Sequence, residues 1–358
     1  MSSKKIKTGG HTFSEIESQA GSWKSVFTRI ERKAEKLKKL YAEAEEIIFT
    51  GCGSAFNIPN AVAPVFQKHS GKVCRAVHAS ELMIHPELFL NKKRKSLVVG
   101  YSRSGDTTES ANALKQAKNA HAATIAIVCF KDSKMAQLSD TALVLEEAAE
   151  KSVTTTRSLT SMILAGYYLA GICTDNDNLC RDLKKLPEIA EKKMSLFHAM
   201  GKKISNDRHI KKYAFVGSGS YYGLAREAQL KIKEMVLLPS DSYISLDYQH
   251  GPMSNVDKNM LVTIMVSDSG MKYDIELAGN MKSLGGKVFI ICDRNGEKFK
   301  NISDYLIELN TGLSDGVRDI LYMPALQYMA YYKSISVGYD PDNPKNLSYH
   351  VELADESS

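Results

Sequence analysis

The 358-residue sequence has no apolar run long enough to span a membrane. Its longest run, SMILAGYYLAGIC at 161–173, is too short for about 30 Å of hydrocarbon. The amino-terminal segment lacks the apolar core of an export signal, and none of the six cysteines forms a C-x-x-C pair. These absences predict neither export nor membrane insertion and favour a reducing compartment, so we expect a cytoplasmic protein.

Signatures of nucleotide, metal and nucleic-acid binding are also missing. The sequence has no G-x-x-x-x-G-K-[ST] loop, and GCGSAF at 51–56 lacks the third glycine of a dinucleotide fingerprint. No histidine or carboxylate cluster has the spacing of a metal site, and there is no zinc-finger or aromatic RNA-binding pattern. We therefore expect no cofactor, no metal and no nucleic-acid partner. The formal charge of +6 suits an anionic small molecule instead.

The sequence does contain an α/β pattern, and this pattern occurs twice. Short apolar runs alternate with amphipathic segments, which is typical of βαβ units and a parallel sheet. The series that begins EEIIFTGCGS at 45–54 restarts as KKYAFVGSGS at 211–220. Such a repeat predicts two similar domains. We place them at 20–190 and 195–340, followed by an extended C-terminal arm at 341–358.

A hydroxyl-rich turn, YSRSGDTTES at 101–110, joins a predicted strand to a predicted helix. The carboxyl end of a parallel strand faces the crevice in which α/β proteins bind ligands. Ser102, Ser104 and Thr107 could donate to a phosphate that also binds the helix amino terminus, and Gly105 would allow close backbone approach. Taken alone, the turn also fits an ordinary helix cap.

A second hydroxyl run, SVTTTRSLTSMI at 152–163, contains Ser152 and Thr155 and precedes an apolar helix. Two such helix starts in one lobe predict a single phosphosugar pocket. At the first of them, Asp106 and Glu109 have the spacing of a capping box, which would fix the helix start.

Proton transfer needs a stronger acid or base than a hydroxyl, and the second lobe supplies candidates. Glu227 and Glu234 lie seven residues apart on one face of a predicted helix, with Lys231 between them. His250 precedes Gly-Pro, which would fix a sharp turn. Each of these residues alone also fits a structural ion pair or a structural histidine.

Together these segments resemble the sugar isomerase (SIS) domain family. The pair of lobes is similar to the isomerase half of glucosamine-6-phosphate synthase from about residue 20 to 353, through GCGSAFN, YSRSGDTTES, SVTTTRSLTSMI, LKIKE, QHGP and DPDNPKNLS. The resemblance implies an α/β fold with two SIS domains, each a Rossmann-like (flavodoxin-like) parallel sheet flanked by helices. Because the glutaminase half has no counterpart in this sequence, glutamine is not the expected nitrogen donor.

The resemblance also implies roles for particular residues. Glu234 matches the proton-transferring glutamate, and His250 matches a ring-opening histidine that reaches across a dimer interface, so a homodimer with shared active sites is implied. With Ser152 from the second hydroxyl run, the predicted ligands of the phosphosugar are Ser54, Ser102, Arg103, Ser104, Thr107, Ser152 and Thr155, with Arg103 standing where the synthase has glutamine.

One departure from the family pattern concerns the tail. The synthase has a lysine there that forms a Schiff base with the open ketose, whereas this sequence has Tyr349, which cannot form an imine. Lys345 and His350 are candidate replacements. A substrate that already carries its nitrogen would not need that lysine, which points to a deglycase, a hydrolase of 6-phosphorylated ketosamines such as fructoselysine 6-phosphate. Arg103, or another cation near the pocket, would then bind the amino-acid carboxylate.

Two other functions fit the same residues. An amino-sugar phosphate isomerase or deaminase, acting on a compound such as glucosamine 6-phosphate, would use Glu234 and His250 equally well. A non-catalytic phosphosugar sensor would need neither of them.

Overall fold

The computed structural model describes residues 8–353, which form two compact units. The first lobe comprises residues 18–150 and 155–187 together with 348–353 of the tail. The second lobe comprises residues 8–17, 151–154 and 188–347.

Fourteen helices and ten strands are formed in the described part of the chain. The helices are α1 Gly10–Glu17, α2 Gln19–Glu31, α3 Ala34–Glu43, α4 Ser54–Ser70, α5 Ala79–Ile84, α6 Pro86–Phe89, α7 Thr108–Asn119, α8 Lys134–Leu138, α9 Arg157–Cys173, α10 Asp177–Leu183, α11 Leu186–Ser205, α12 Ser220–Met235, α13 Met271–Ser283 and α14 Met323–Ser336. The strands are β1 Glu46–Gly51, β2 Val73–His78, β3 Ser96–Ser102, β4 Ala123–Val128, β5 Thr141–Val144, β6 Lys212–Gly217, β7 Ser240–Tyr243, β8 Met260–Met265, β9 Lys287–Cys292 and β10 Tyr305–Glu308.

Each lobe contains one five-stranded parallel sheet, and the two sheets have the same topology. The first has the order β2-β1-β3-β4-β5 and the second the order β7-β6-β8-β9-β10. Both are the flavodoxin-like order 2-1-3-4-5. The predicted α/β fold with two parallel sheets flanked by helices is therefore confirmed.

The apolar runs become strands and helices that are buried on more than one face. Every residue of β1, β3 and β8 is buried, as expected for strands covered by helices on both sides. Helix α9 is buried along almost its whole length and packs against α2 and α4. Within residues 8–353, no helix combines the length and the apolarity needed to cross a membrane.

The compact units divide the chain differently from the predicted boundaries at its amino end, at 151–154 and within the tail. A buried aspartate in the tail, Asp342, explains this. Its carboxylate accepts hydrogen bonds from the amide and hydroxyl of Thr12, each 2.7 Å long, and its carbonyl accepts one from the Val153 amide at 2.9 Å. These bonds link the amino-terminal segment, residues 151–154 and the tail up to residue 347, and all three belong to the second lobe.

Close packing of α9 on α4 depends on Gly166. A Cβ added at this residue would lie 2.6 Å from a methyl carbon of Val62 and 2.7 Å from the Tyr101 hydroxyl, both of which belong to buried side chains. We expect Gly166→Ala to lower the free energy of unfolding of the first lobe by about 1–3 kcal/mol through overpacking.

Trp23 reports this change because it is the only tryptophan in the chain and is fully buried in the first lobe. Denaturant unfolding followed by its fluorescence is the measurement. Gly21→Ala is the matched control, since an added Cβ there meets nothing within 4 Å and should stabilise helix α2 by about 0.5–1 kcal/mol. Equal midpoints for the two variants would contradict the packing argument.

Candidate active site

The hydroxyl-rich turn of the first lobe lies at the carboxyl end of β3 and leads into α7. The Ser102 hydroxyl oxygen accepts a hydrogen bond from the Gly105 amide at 3.0 Å. It also lies 3.4 Å from the hydroxyl oxygens of both Ser104 and Thr107. The structure thus brings together the three hydroxyls that the sequence pattern singled out. The name phosphate loop is used below for residues 102–107.

The loop keeps its shape through Gly105, whose φ of +73° lies in the left-handed region. A Cβ at this residue would lie 2.2 Å from the Ser133 hydroxyl oxygen, so no larger residue fits. The predicted capping box is wrong. The N-cap of α7 is Thr107, and its side chain makes no cap hydrogen bond. The Asp106 carboxylate is not available for capping α7, because it accepts from the Lys134 amide at 2.9 Å.

Three other predicted ligands converge on one small cavity of the first lobe. Ser54 begins α4, Thr155 precedes α9, and both line this cavity together with Arg103. The cavity measures only about 10 Å³, far below the roughly 300 Å³ of a small ligand pocket. A sugar ring can therefore enter only if one of the surrounding side chains moves.

A buried carboxylate that sequence reasoning missed, Glu150, lies beside these residues. It accepts from the amide and the hydroxyl of Thr156 at 2.7 and 2.8 Å, and also from the Ser158 hydroxyl. Arg103 pairs with it at 3.5 Å. Glu150 therefore fixes the start of α9 and holds the Arg103 guanidinium. The sequence signal was weak, since Glu150 is the last of three glutamates at 146–150 and is separated from the second hydroxyl run by Lys151.

Tyr349 completes the cluster from the tail. The Arg103 guanidinium stacks on its ring at 3.9 Å and donates to its backbone carbonyl at 3.0 Å, while the Tyr349 hydroxyl donates to the Glu150 carbonyl at 2.9 Å. Farther along, the Thr108 amide donates to the Val351 carbonyl at 3.4 Å. The tail segment 348–353 is therefore attached to the phosphate loop and to the start of α7.

Ser152 differs from the other predicted ligands because it belongs to the second lobe. Its hydroxyl is fully buried, donates to the Glu15 carboxylate, and also bonds the Thr154 carbonyl at 2.9 Å. This arrangement supports a structural role, and we leave Ser152 out of the ligand set used below.

The predicted acid–base residue Glu234 lies near the end of α12 in the second lobe. The Lys231 ammonium, fully buried, contacts its carboxylate at 2.6 Å and that of Glu227 at 3.1 Å. Burial by itself would lower the pKa of Lys231, but the two carboxylates outweigh it and raise that pKa. Lys231 thus stays charged and positions Glu234, whose side chain keeps 20% of its surface exposed.

His250 lies in the loop that follows β7, with its side chain exposed. The next residue, Gly251, has a φ of +120°, as the predicted sharp turn requires. In the described part of the chain, no hydrogen bond joins His250 to Glu234. Of the candidate lysine replacements, Lys345 is exposed in the second lobe and His350 pairs with Glu352 at 3.1 Å. Among residues 8–353, no three acidic, histidine or cysteine side chains are grouped as a metal site.

The contact between Arg103 and Tyr349 predicts a measurable effect on the tail. In Arg103→Gln the shorter, uncharged glutamine side chain can neither stack on the Tyr349 ring as a cation nor reach the Tyr349 carbonyl. Hydrogen exchange of the backbone amides in 348–353 should therefore accelerate about tenfold. Arg94→Gln, which removes an exposed arginine from the Glu46 carboxylate, is the control. Unchanged exchange in Arg103→Gln would mean that this contact does not hold the tail.

Comparison with known proteins places the chain in a family. A model of the SIS domain matches residues 40–171 and 208–335, one match in each sheet-bearing part. Glutamine–fructose-6-phosphate aminotransferase of Methanothermobacter thermautotrophicus is 26% identical, and the match covers 87% of this chain and 52% of that relative. The same enzyme of Methanocaldococcus jannaschii is 28% identical, and the match covers 89% of this chain and 29% of that relative. The chain therefore spans about half or less of these curated relatives.

Two solved structures extend the comparison. A glucosamine-6-phosphate deaminase from Thermotoga maritima superimposes with a TM-score of 0.80, is 26% identical, and covers 96% of this chain and 100% of its own. A tagatose-6-phosphate ketose/aldose isomerase from Escherichia coli superimposes with a TM-score of 0.86 at 23% sequence identity. The match covers 99% of this chain and 100% of that chain, and it shows that the two share a fold. These relatives are enzymes. The chain belongs to the SIS-domain family, contains that domain twice, and is homologous to the isomerase half of glutamine–fructose-6-phosphate aminotransferase.

Proposed function

We propose that this chain is a deglycase that hydrolyses a 6-phosphorylated ketosamine, of the fructoselysine 6-phosphate type, to a hexose 6-phosphate and an amine. The observation that carries the proposal is Tyr349. It stands where the related synthase has its imine-forming lysine, and its ring and carbonyl are both engaged with Arg103. A substrate that brings its own C–N bond needs no lysine from the protein.

The phosphate of the substrate is assigned to the phosphate loop. The grouped hydroxyls of Ser102, Ser104 and Thr107 can donate to it, and the start of α7 adds the positive end of a helix dipole. Ser54 and Thr155 are assigned to the sugar hydroxyls because they line the adjoining cavity.

The chemistry is assigned to the second lobe. His250 assists opening of the ring, and Glu234, positioned by Lys231, removes a proton from C1 to give an enaminol. Return of that proton to C2 produces a C1 imine. Water adds to C1, the C–N bond breaks, and the amine leaves with a proton. The sum is ketosamine 6-phosphate plus water giving aldose 6-phosphate plus amine.

Arg103 is assigned to the amino-acid part of the substrate. In the structure its guanidinium donates to the Tyr349 carbonyl and lies 3.5 Å from Glu150. A substrate carboxylate is a stronger acceptor than a carbonyl and would replace the tail in this contact. Binding of the conjugate would then release segment 348–353 and open the small cavity.

Three further assignments belong to the same proposal. A homodimer with shared active sites is favoured by the exposed position of His250, which leaves the imidazole accessible to a second copy. A cytoplasmic location is favoured by six unpaired cysteines among the described residues. The partner is a small phosphosugar.

The second candidate function is deamination of an amino-sugar phosphate. This function is favoured by the similarity to the Thermotoga maritima deaminase, which is 26% identical to this chain in a match that covers all of the deaminase chain. That reaction would use Glu234 and His250 in the same roles but would release ammonia instead of an amino acid.

A coupled assay separates the two functions. Glucose 6-phosphate release from fructoselysine 6-phosphate is measured beside ammonia release from glucosamine 6-phosphate. We expect turnover of the conjugate only. In Glu234→Gln we expect its kcat to fall about a hundredfold or more because the proton carrier is lost. Glu276→Gln, which changes an exposed carboxylate of the same lobe, should retain activity.

Ammonia release without turnover of the conjugate would assign the chain to the deaminases. Full activity of Glu234→Gln would remove Glu234 from the mechanism.

A further inference from the structure

The second lobe repeats the local geometry of the first lobe's site. After β6, Gly219 has φ 59° and ψ −129°, and after β1, Gly53 has φ 56° and ψ −129°. After β8, the Gly270 amide donates to the Ser267 hydroxyl at 3.0 Å, as the Gly105 amide does to Ser102 after β3, although the two turns differ in backbone conformation, with φ −89° at Gly270 and +73° at Gly105. The sequences of the two turns agree: SDSG at 267–270 and SRSG at 102–105.

These two turns of the second lobe line a cavity of about 320 Å³. That volume lies within the range of small-molecule pockets, and the cavity lies at the switch point of the sheet, where folds of this order bind ligands. Its lining residues are Ser218, Gly219, Ser220, Tyr221, Ser267, Ser269, Gly270, Tyr273 and Asp315. The name second crevice is used below for this cavity.

A buried carboxyl without a hydrogen-bond partner lies against its wall. Asp274 is 1% exposed, and among the described residues neither of its oxygens has a partner. A Cβ at Gly270 would lie 2.7 Å from the Ser267 hydroxyl oxygen and 3.2 Å from an Asp274 oxygen, so both polar groups face the glycine that lines the second crevice. A buried polar group of this kind calls for an explanation, and a ligand, an ordered water or an ion can each supply one.

Asp274 also has a counterpart in the first lobe. Four residues after Gly105 is Glu109, as Asp274 is four residues after Gly270, and one oxygen of Glu109 is likewise buried without a partner. Burial raises the pKa of Asp274 to about 7, with the nearby Ser245 hydroxyl and Ser267 amide opposing the rise and Asp315 adding to it. The two carboxyls thus share a sequence spacing, although Glu109 is the second residue of α7 and Asp274 the fourth of α13.

The charge of the second crevice differs from that of the phosphate loop. Asp268 replaces Arg103 in the turn, and among the described residues no cationic side chain lines the cavity. Lys272, which replaces Thr107, lies 5.8 Å from the Tyr273 ring centroid and outside the lining. The buried Arg318 is paired with both Asp268 and Asp315. A phosphate would meet the Asp315 carboxylate here, and the cation beside that carboxylate, Arg318, is already paired.

The lining suits an uncharged or amino-bearing sugar ring instead. Four serine hydroxyls and the Asp315 carboxylate can exchange hydrogen bonds with sugar hydroxyls, or with an ammonium group. Tyr273, with 46% of its surface exposed, presents a ring face for the apolar side of a sugar.

We propose that the second crevice binds an unphosphorylated hexose or hexosamine, at a site separate from the phosphate loop. The site is a duplicated ligand crevice whose phosphate-binding charge has been exchanged for carboxylates. It does not depend on the deglycase proposal, since it uses none of the residues assigned to that reaction.

The test is binding of D-glucosamine to the full chain, measured by isothermal titration calorimetry. Ser269→Trp fills the second crevice from an exposed position and should weaken binding about tenfold or more, and Tyr273→Ala should weaken it by a smaller factor. Ser283→Trp, at the other exposed end of α13, is the matched control and should bind as the wild type does.

Glucosamine 6-phosphate provides the second arm of the test. We expect its affinity to be unchanged by Ser269→Trp. The proposal is overturned if D-glucosamine binds no part of the chain, or if it binds the wild type and Ser269→Trp equally well. It is also overturned if Ser269→Trp abolishes binding of glucosamine 6-phosphate alone, because the second crevice would then be a phosphosugar site.

Discussion

The first lobe's site depends on the buried carboxylate of Glu150. It binds the start of α9, pairs with Arg103 and, through its backbone carbonyl, holds the Tyr349 hydroxyl. A buried carboxylate is stable only when its oxygens are satisfied, so these partners are constrained to lie around it. Under the proposed function, substrate binding has to compete with the contacts that Arg103 makes to Glu150 and Tyr349.

The two lobes share a strand order and a turn sequence, and they differ in the charged side chains that those turns carry. Both sheets have the strand order 2-1-3-4-5, and both carry a serine hydroxyl that accepts from a glycine amide at 3.0 Å after the central strand. Arg103 in one turn and Asp268 in the other reverse the charge at equivalent positions. In the second lobe the buried Lys231 lies between two carboxylates on α12 and positions Glu234, the residue proposed for proton transfer.

Local sequence patterns predicted the two parallel sheets and the grouped hydroxyls of the phosphate loop, because strand ends, hydroxyl-rich turns and the repeat are properties of short segments. Ser102, Ser104 and Thr107 meet as the sequence indicates. What it could not predict depends on partners far apart in the chain. Arg103 contacts Tyr349 across 246 positions, and Ser152 bonds Glu15 across 137. The capping box failed for the same reason, since Asp106 is held by the Lys134 amide, which no local pattern reveals.

The central claim is that catalysis proceeds without an imine between the protein and its substrate, because Tyr349 stands in place of the lysine. Borohydride reduction of the protein in the presence of fructose 6-phosphate, followed by mass spectrometry, tests this most directly. The account predicts an unmodified chain, and a covalent adduct in the variant Tyr349→Lys. A reduced hexose phosphate adduct on Lys345, or on any other lysine of the wild-type protein, would contradict it.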